Sequence, residues 1–378
     1  MIALGRALKA RGHSVTIETA ERWRRDCEAE GLCFTPAPEY PTFPTRERPM
    51  KPYEAVVKAV GETQPAIEAA RPDVVVHDIL TLAPALGGER LGIPVATLVP
   101  HVDPRTAPEA PPYSVGARLP RTGFGRKAWG SMRALTDRGL RQGRDELNET
   151  RRRVGLPPVD RLHGGMSREL VMAATFPQLE YPREPEPSTH VVGPLMWEPA
   201  FPRVELPGGD GPLVLVAPST AQDPGQRLLG NSLKALSRLE GVRVIATWNR
   251  RPPPFPVHDA PGVKVVEWLS YAKTMPLCDA VICHGGHGTL VRALSSACVP
   301  IAVPDGGDQG ENAARIAWAG VGARLPRRLA TAGPLARATE SVLADREMAA
   351  RTARLAEWEA GNDAGSRCAL LIEELAGS

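Results

Sequence analysis

Two runs hold the residues of this chain best suited to chemistry, Cys283-His284-Gly285-Gly286-His287-Gly288-Thr289 and, further on, Asp305-Gly306-Gly307-Asp308-Gln309. An apolar stretch of strand length, Asp279 to Cys283, leads into the first run, and Leu290, Val291, Leu294 and Ala297 follow it at helical spacing. Glycines in that turn let the backbone approach a ligand closely. The helix start adds unpaired N–H groups and the positive end of its dipole, which together suit a phosphate. His284 and Thr289 supply side-chain donors at the edges. Asp308 and Gln309 offer a carboxylate and an amide for sugar hydroxyls, although Asp308 is also placed to cap the helix running to Trp318. No lysine follows the glycines, so this is no Walker loop, and the dinucleotide spacing G-x-G-x-x-G is absent from the run. D-x-D, H-E-x-x-H and C-x-x-C do not occur, and no catalytic metal is expected.

Short apolar runs alternate with helical patterns in both halves, which predicts α/β folding with parallel sheets and crossover helices. Strands are expected at Ser14–Thr19, Val74–His77, Val95–Val99, Leu170–Ala174 and His190–Val192. A second series follows at Leu213–Val216, Val242–Thr247, Val263–Val266, Asp279–Cys283 and Pro300–Val303. Helices are expected at Ile2–Lys9, Tyr53–Ala70, Ala83–Arg90 and Lys127–Val154. Residues 100–125 are rich in Pro, Gly and Arg without a period and read as a long loop, the kind of segment that is usually functional. The tail from Ala332 to Leu375 is helical, interrupted near Gly361 and Asn362. Asp78 ends a strand at the carboxyl edge where α/β sites gather. His101 lies just past the strand Val95–Val99, within reach of the same edge.

A chain of 378 residues accommodates two such domains. Its net charge of +3 is too small for an electrostatic nucleic-acid binder. The 6 cysteines have neither metal-ligand nor disulfide-framework spacing, which fits a reducing cytoplasm. No stretch is long and apolar enough to span a bilayer.

From Trp268 to Asn312 the chain resembles the donor-binding signature of family 1 glycosyltransferases, the GT-B enzymes of plant and actinobacterial natural products. The elements stand in the family's order: Trp268, the apolar strand, His284 to Thr289, the helix, Cys298-Val299-Pro300, Asp308-Gln309 and Asn312. Looser similarity runs over most of the chain. The resemblance implies two Rossmann-like domains facing a cleft. Residues 1–196 would form the acceptor domain, 197–212 a linker, 213–365 the nucleotide-sugar domain, and 366–378 a helix crossing back. It further implies that Trp268, next to Leu269, stacks on the nucleobase, although a core tryptophan at a strand end would look the same. His284, Gly286, His287, Gly288 and Thr289 would hold the diphosphate, and Asp308 with Gln309 the sugar. Ser219 and Thr220, on the loop after the first strand of the second domain, would face phosphate or sugar or simply form a turn. Asp78 would charge and orient a catalytic histidine.

That histidine is not in the sequence. In the resembled family it sits on a loop between a central first strand and the helix that here begins at Ile2, and both strand and loop are absent. The reading frame is therefore expected to continue upstream of Met1. His77 adjoins Asp78 but points to the opposite face, which leaves His101 as the other candidate base.

The expected activity is inverting transfer of a hexose or deoxyhexose from a uridine or thymidine diphosphate sugar to a hydroxyl of a small apolar natural product. The nucleotide sugar is a substrate, and no cofactor is expected. A catalytically silent homologue that binds a nucleotide sugar or partners an active transferase is the alternative raised by the absent histidine. A nucleotide-sugar epimerase shares the architecture, but the block from Trp268 to Gln309 argues against it.

Overall fold

The computed structural model describes residues 1–38, 52–184, 186–219 and 223–377. Its strands are β1 (Thr16–Thr19), β2 (Cys33–Pro36), β3 (Val75–Asp78), β4 (Val95–Val99), β5 (Leu170–Ala173), β6 (Thr189–Val191), β7 (Leu213–Ala217), β8 (Arg243–Thr247), β9 (Val263–Val266), β10 (Ala280–Cys283), β11 (Val299–Ala302) and β12 (Ala323–Arg324). The helices are α1 (Ile2–Ala10), α2 (Arg24–Ala29), α3 (Pro52–Ala70), α4 (Leu82–Arg90), α5 (Gly123–Arg153), α6 (Arg227–Leu236), α7 (Tyr271–Thr274), α8 (His287–Ser295), α9 (Gln309–Ala319), α10 (Ala332–Ala344), α11 (Arg346–Ala360) and α12 (Ala364–Ala376).

Strands built of consecutive apolar residues, without alternation, are those buried on both faces of a parallel sheet. β7, β10 and β11 are buried at every position. They occupy the middle of a parallel sheet in the order β12-β11-β10-β7-β8-β9. The chain runs outward from β7 in one direction and from β10 in the other, so the connections at their carboxyl ends diverge and leave a crevice between them. Ser219 and His284 follow those two ends. α6 and α10 cover one face of the sheet, and α8, α9 and α11 pack on the other.

In the first half, β3-β4-β5-β6 form a second parallel sheet, while β1 and β2 pair only with each other. Among the described residues no strand joins β1 to β3. One apolar cluster bridges the halves: Val102, Phe176 and Leu179 pack with Leu215, Leu290 and Ile316. The last helix lies on the first half, where Cys368 and Ile372 of α12 join Leu4 of α1, Leu98 and Met172. Just before it, Asn362 Nδ2 donates to the Val192 carbonyl at 3.0 Å.

The structure corrects several expected boundaries. α5 begins at Gly123, within the stretch read as a loop, because Thr122 caps it by accepting the Gly125 N–H. The helical tail breaks at Asp345 as well as near Gly361, since Asp345 caps α11 through the Met348 N–H. β2 and β12 were not foreseen. Among the described residues no helix is long and apolar enough to cross a membrane.

Candidate functional site

β10 ends at Cys283, and the chain turns sharply through His284, Gly285 and Gly286 into α8. Gly285 has φ +84°, which a side chain rarely adopts, and a Cβ there would sit 3.3 Å from the Gln309 carbonyl oxygen. Asn312 Nδ2 donates to the Gly285 carbonyl at 3.1 Å, so α9 holds the turn in place. Gly286 caps α8 without a side-chain bond, and Gly288 is exposed in its first turn beside the half-buried Thr289. The helix thus presents its first N–H groups to the crevice, as an anion site requires.

His284 borders this start. Burial lowers its pKa, against a bond to the Ala217 carbonyl and the charge of Asp308, which favour the protonated ring. Its Nδ1 is buried and has no partner among the described residues. A buried ring nitrogen without a partner is costly, and here it adjoins the glycine turn. His287 behaves differently. It is buried, its Nε2 lies 3.3 Å from the Ala174 carbonyl at the end of β5, and burial pushes its pKa down to about 4. Within the expected phosphate set, this histidine ties the cradle to the first half.

Asp308 stands before α9 with a helical backbone and caps no N–H. Its carboxylate instead accepts Asn312 Nδ2 at 2.9 Å, which removes the capping alternative. Gln309 is buried, and its Oε1 accepts the Asp305 N–H at 2.8 Å. The expected sugar-reading pair is therefore held rigidly, with Gln309 shaping its own loop.

Trp268 is half-buried and lies outside the apolar clusters, whereas Leu269 beside it is core. The Arg250 guanidinium sits 4.6 Å from the Trp268 ring centroid, a cation–π pair. Sequence reasoning missed Arg250, because only the pairing of β8 with β9 brings the two together. Buried Ser219 and His284 line a cavity of about 560 Å³ with Asp305, Arg227 and Arg327. Arg327 pairs with Asp305. With Arg328, three arginines outnumber the two carboxylates Asp223 and Asp305 along this lining, a cationic bias that no motif announced. Thr220 lies outside the described residues. A depression of about 540 Å³ along α5, lined by Arg138, Asp145, Glu149 and their neighbours, has no part in this cradle.

Across the crevice, Asp78 accepts the Leu80 N–H at 2.9 Å. Among the described residues no histidine ring bonds its carboxylate, and its charge acts on the α-amino group of Met1 and on the neighbouring His77. His77 is buried, with Nε2 2.7 Å from Thr97 Oγ1, so its role is structural. His101 is half-buried, and its ring stacks on Tyr113 at 5.6 Å. Its Nδ1 lies 2.7 Å from the Val102 carbonyl, which can only accept, and this contact assigns the proton to Nδ1 and the lone pair to Nε2. His101 is close enough to His287 to oppose its protonation. Asp308 acts on both His287 and Tyr113. The structure therefore gathers His101, Tyr113, His287 and Asp308. Among the described residues, no group of three or more His, Cys, Asp or Glu is placed to hold a metal.

Residues 231–375 match the family of the erythromycin biosynthesis protein CIII-like C-terminal domain. Along 99% of its length the chain is 27% identical to the 4'-demethylrebeccamycin synthase of Lentzea aerocolonigenes, covering 96% of that protein. The solved glycotransferase of kitacinnamycin superposes with a TM-score of 0.80 at 20% identity, over 99% of this chain and 95% of that one. The spinosyn rhamnosyltransferase complexed with thymidine diphosphate superposes with a TM-score of 0.71 at 20% identity, over 99% and 95% of the two chains. Residues 231–375 thus match that C-terminal domain, the whole chain has the GT-B fold, and the relatives and solved structures it resembles are glycosyltransferases of natural-product pathways.

Proposed function

We propose that the chain moves a hexose or deoxyhexose from a uridine or thymidine diphosphate donor to a hydroxyl of a small apolar acceptor, with inversion in one displacement. The observation that carries this reading is the orphaned Nδ1 of His284, set beside the start of α8 where the sheet order reverses. A diphosphate beside the ring would favour its protonated form, whose Nδ1–H would donate to a phosphate oxygen alongside the open N–H groups of α8. Gly286, Gly288, Thr289, Ser219 and Thr220 complete the phosphate set in this reading. Trp268 stacks on the base above Leu269, and Asp308 with Gln309 orients the sugar. The thymidine diphosphate held by the spinosyn enzyme supports a pyrimidine nucleotide.

In the transfer, the acceptor oxygen bonds to the anomeric carbon as the bond from that carbon to the β-phosphate oxygen breaks. The acceptor proton passes to a base, and the nucleoside diphosphate leaves. His101 takes the proton on Nε2, since it lies near enough to His287 of the cradle to oppose that residue's protonation and its Nδ1 is held by the Val102 carbonyl. Asp78 remains the charge partner for a histidine at the acceptor edge. The helix start and His284 neutralise the departing diphosphate, so EDTA is expected to leave turnover unchanged.

We place residues 1–196 as the acceptor domain, 197–212 as the linker and 213–365 as the donor domain, acting in a reducing cytoplasm that suits the free cysteines. A thermal-shift screen of UDP- and dTDP-sugars, followed by turnover on phenols and alcohols, tests the proposal. Stabilisation by one donor series with sugar transfer supports it. Nucleotide binding without transfer identifies a silent homologue, and no stabilisation by any donor refutes the donor site.

A further inference from the structure

We propose that the N-terminal part of α5 is a docking face for an anionic lipid surface. The helix is 31 residues long, ~46 Å at 1.5 Å per residue, yet its buried residues are Leu147, Thr150 and Arg151, all near its end. Ahead of them, large apolar side chains face water: Phe124 is 85% exposed, Leu135 69% and Met132 45%. At about 100° per residue, Phe124, Ala128, Met132 and Leu135 fall on one stripe roughly 80° wide. Lys127 and Arg138 run along one edge of that stripe. This is the layout of a helix that lies in a membrane interface, with its apolar side among the acyl chains and its basic side toward the headgroups.

Charge decides which occupant fits. Residues 121–144 contain seven Lys or Arg and one acidic residue, Asp137, a net +6 in a chain whose total is +3. A second copy of the same face would bring these like charges together, which disfavours a symmetric dimer through it. A negatively charged surface complements them. Arg126 pairs with Glu109 at 3.6 Å, so the docking face adjoins the segment carrying His101 and Tyr113. A lipophilic acceptor dissolved in the bilayer would then meet the enzyme on its acceptor side. The docking itself requires neither donor nor acceptor.

The test is flotation of the full chain with vesicles of phosphatidylcholine, alone or with about one-third phosphatidylglycerol, at low and high salt. Binding is expected to anionic vesicles only and to weaken in 0.5 M salt. The double variants M132S/L135S and K127E/R138E should each reduce partitioning by about tenfold or more. Their unfolding temperature should stay that of the parent, because the altered side chains are exposed. Equal partitioning of the parent and both variants would overturn the proposal. So would absence of binding to anionic vesicles, whether sedimentation then shows a monomer or a dimer that M132S/L135S dissociates.

Discussion

Glu311 and Arg315, one turn apart on α9, form an ion pair of 2.8 Å at 0% and 1% side-chain exposure, between the two halves of the molecule. Arg315 also donates to the Leu179 carbonyl at 3.0 Å, reaches Glu180 at 3.3 Å, and lies 4.0 Å above the Tyr181 ring. Glu311 lies against the backbone amides of Ser114 and Gly116. Gly116 has φ +67°, and a Cβ on it would stand 2.8 Å from the Gly310 carbonyl carbon. The long loop of the first half is thus seated on the helix that begins with Gln309. Beneath it, Asp103 is held below the usual carboxylate range: burial opposes ionisation, but Arg105 and Arg183 outweigh it.

Removing one member of such a pair leaves the other charged and buried. Glu311→Ala is expected to cost roughly 3–5 kcal/mol in urea unfolding, and Glu311→Ala with Arg315→Met to recover much of it. A single substitution within 0.5 kcal/mol of the parent, a threshold typical of surface changes, would show that the pair does not seat the loop.

Trp268→Ala should weaken UDP or dTDP binding by about 1–3 kcal/mol, the usual worth of stacking on a base. Arg250→Ala should cost about 0.5–1 kcal/mol, because it only supports the ring. Calorimetric titration reads both. A larger loss for Arg250 than for Trp268 would mean that the arginine, and not the ring, contacts the nucleotide.

Gln309→Ala should lower affinity for the nucleotide sugar about tenfold, the worth of one or two hydrogen bonds, and barely change that for the free nucleotide. Its amide oxygen accepts the N–H groups of Asp305 and Gly306, beside the proposed sugar position. Equal losses for both ligands would place its effect on the phosphates.

Much of this arrangement was legible in the sequence. The unbroken apolar runs of β7, β10 and β11 state their burial, and the glycine turn after Cys283 states where the backbone must bend. Strand order was not legible. Arg327 meets Asp305, and Arg250 meets Trp268, only because of how the sheet is assembled, and no local spacing records that. The separate role of His287 was hidden for the same reason: its partner is Ala174, on the other half of the chain. Asp308 reads as a cap by position, but Asn312 competes for its carboxylate. β2, the strand at Cys33, lacks strong alternation and was lost among polar neighbours.

His287 should make stability depend on pH. Its folded pKa of about 4 lies below the ordinary histidine value of 6.5 because burial disfavours the charge. The unfolded chain therefore takes up a proton below 6.5 that the folded chain refuses until about 4. Stability is complete above that window and falls as pH drops through it, by roughly 3 kcal/mol at most. Denaturant melts at pH 7 and pH 4.5 should differ less for His287→Asn than for the parent. Identical differences would assign the pH dependence elsewhere.

The donor cradle is tested most directly by calorimetric titration of UDP and dTDP into His284→Ala. Loss of a hydrogen bond to a charged phosphate is worth about 1.5–3 kcal/mol, so affinity should drop roughly tenfold to a hundredfold while the melting temperature holds. Nucleotide affinity equal to that of the parent would contradict the placement of the diphosphate between His284 and the start of α8.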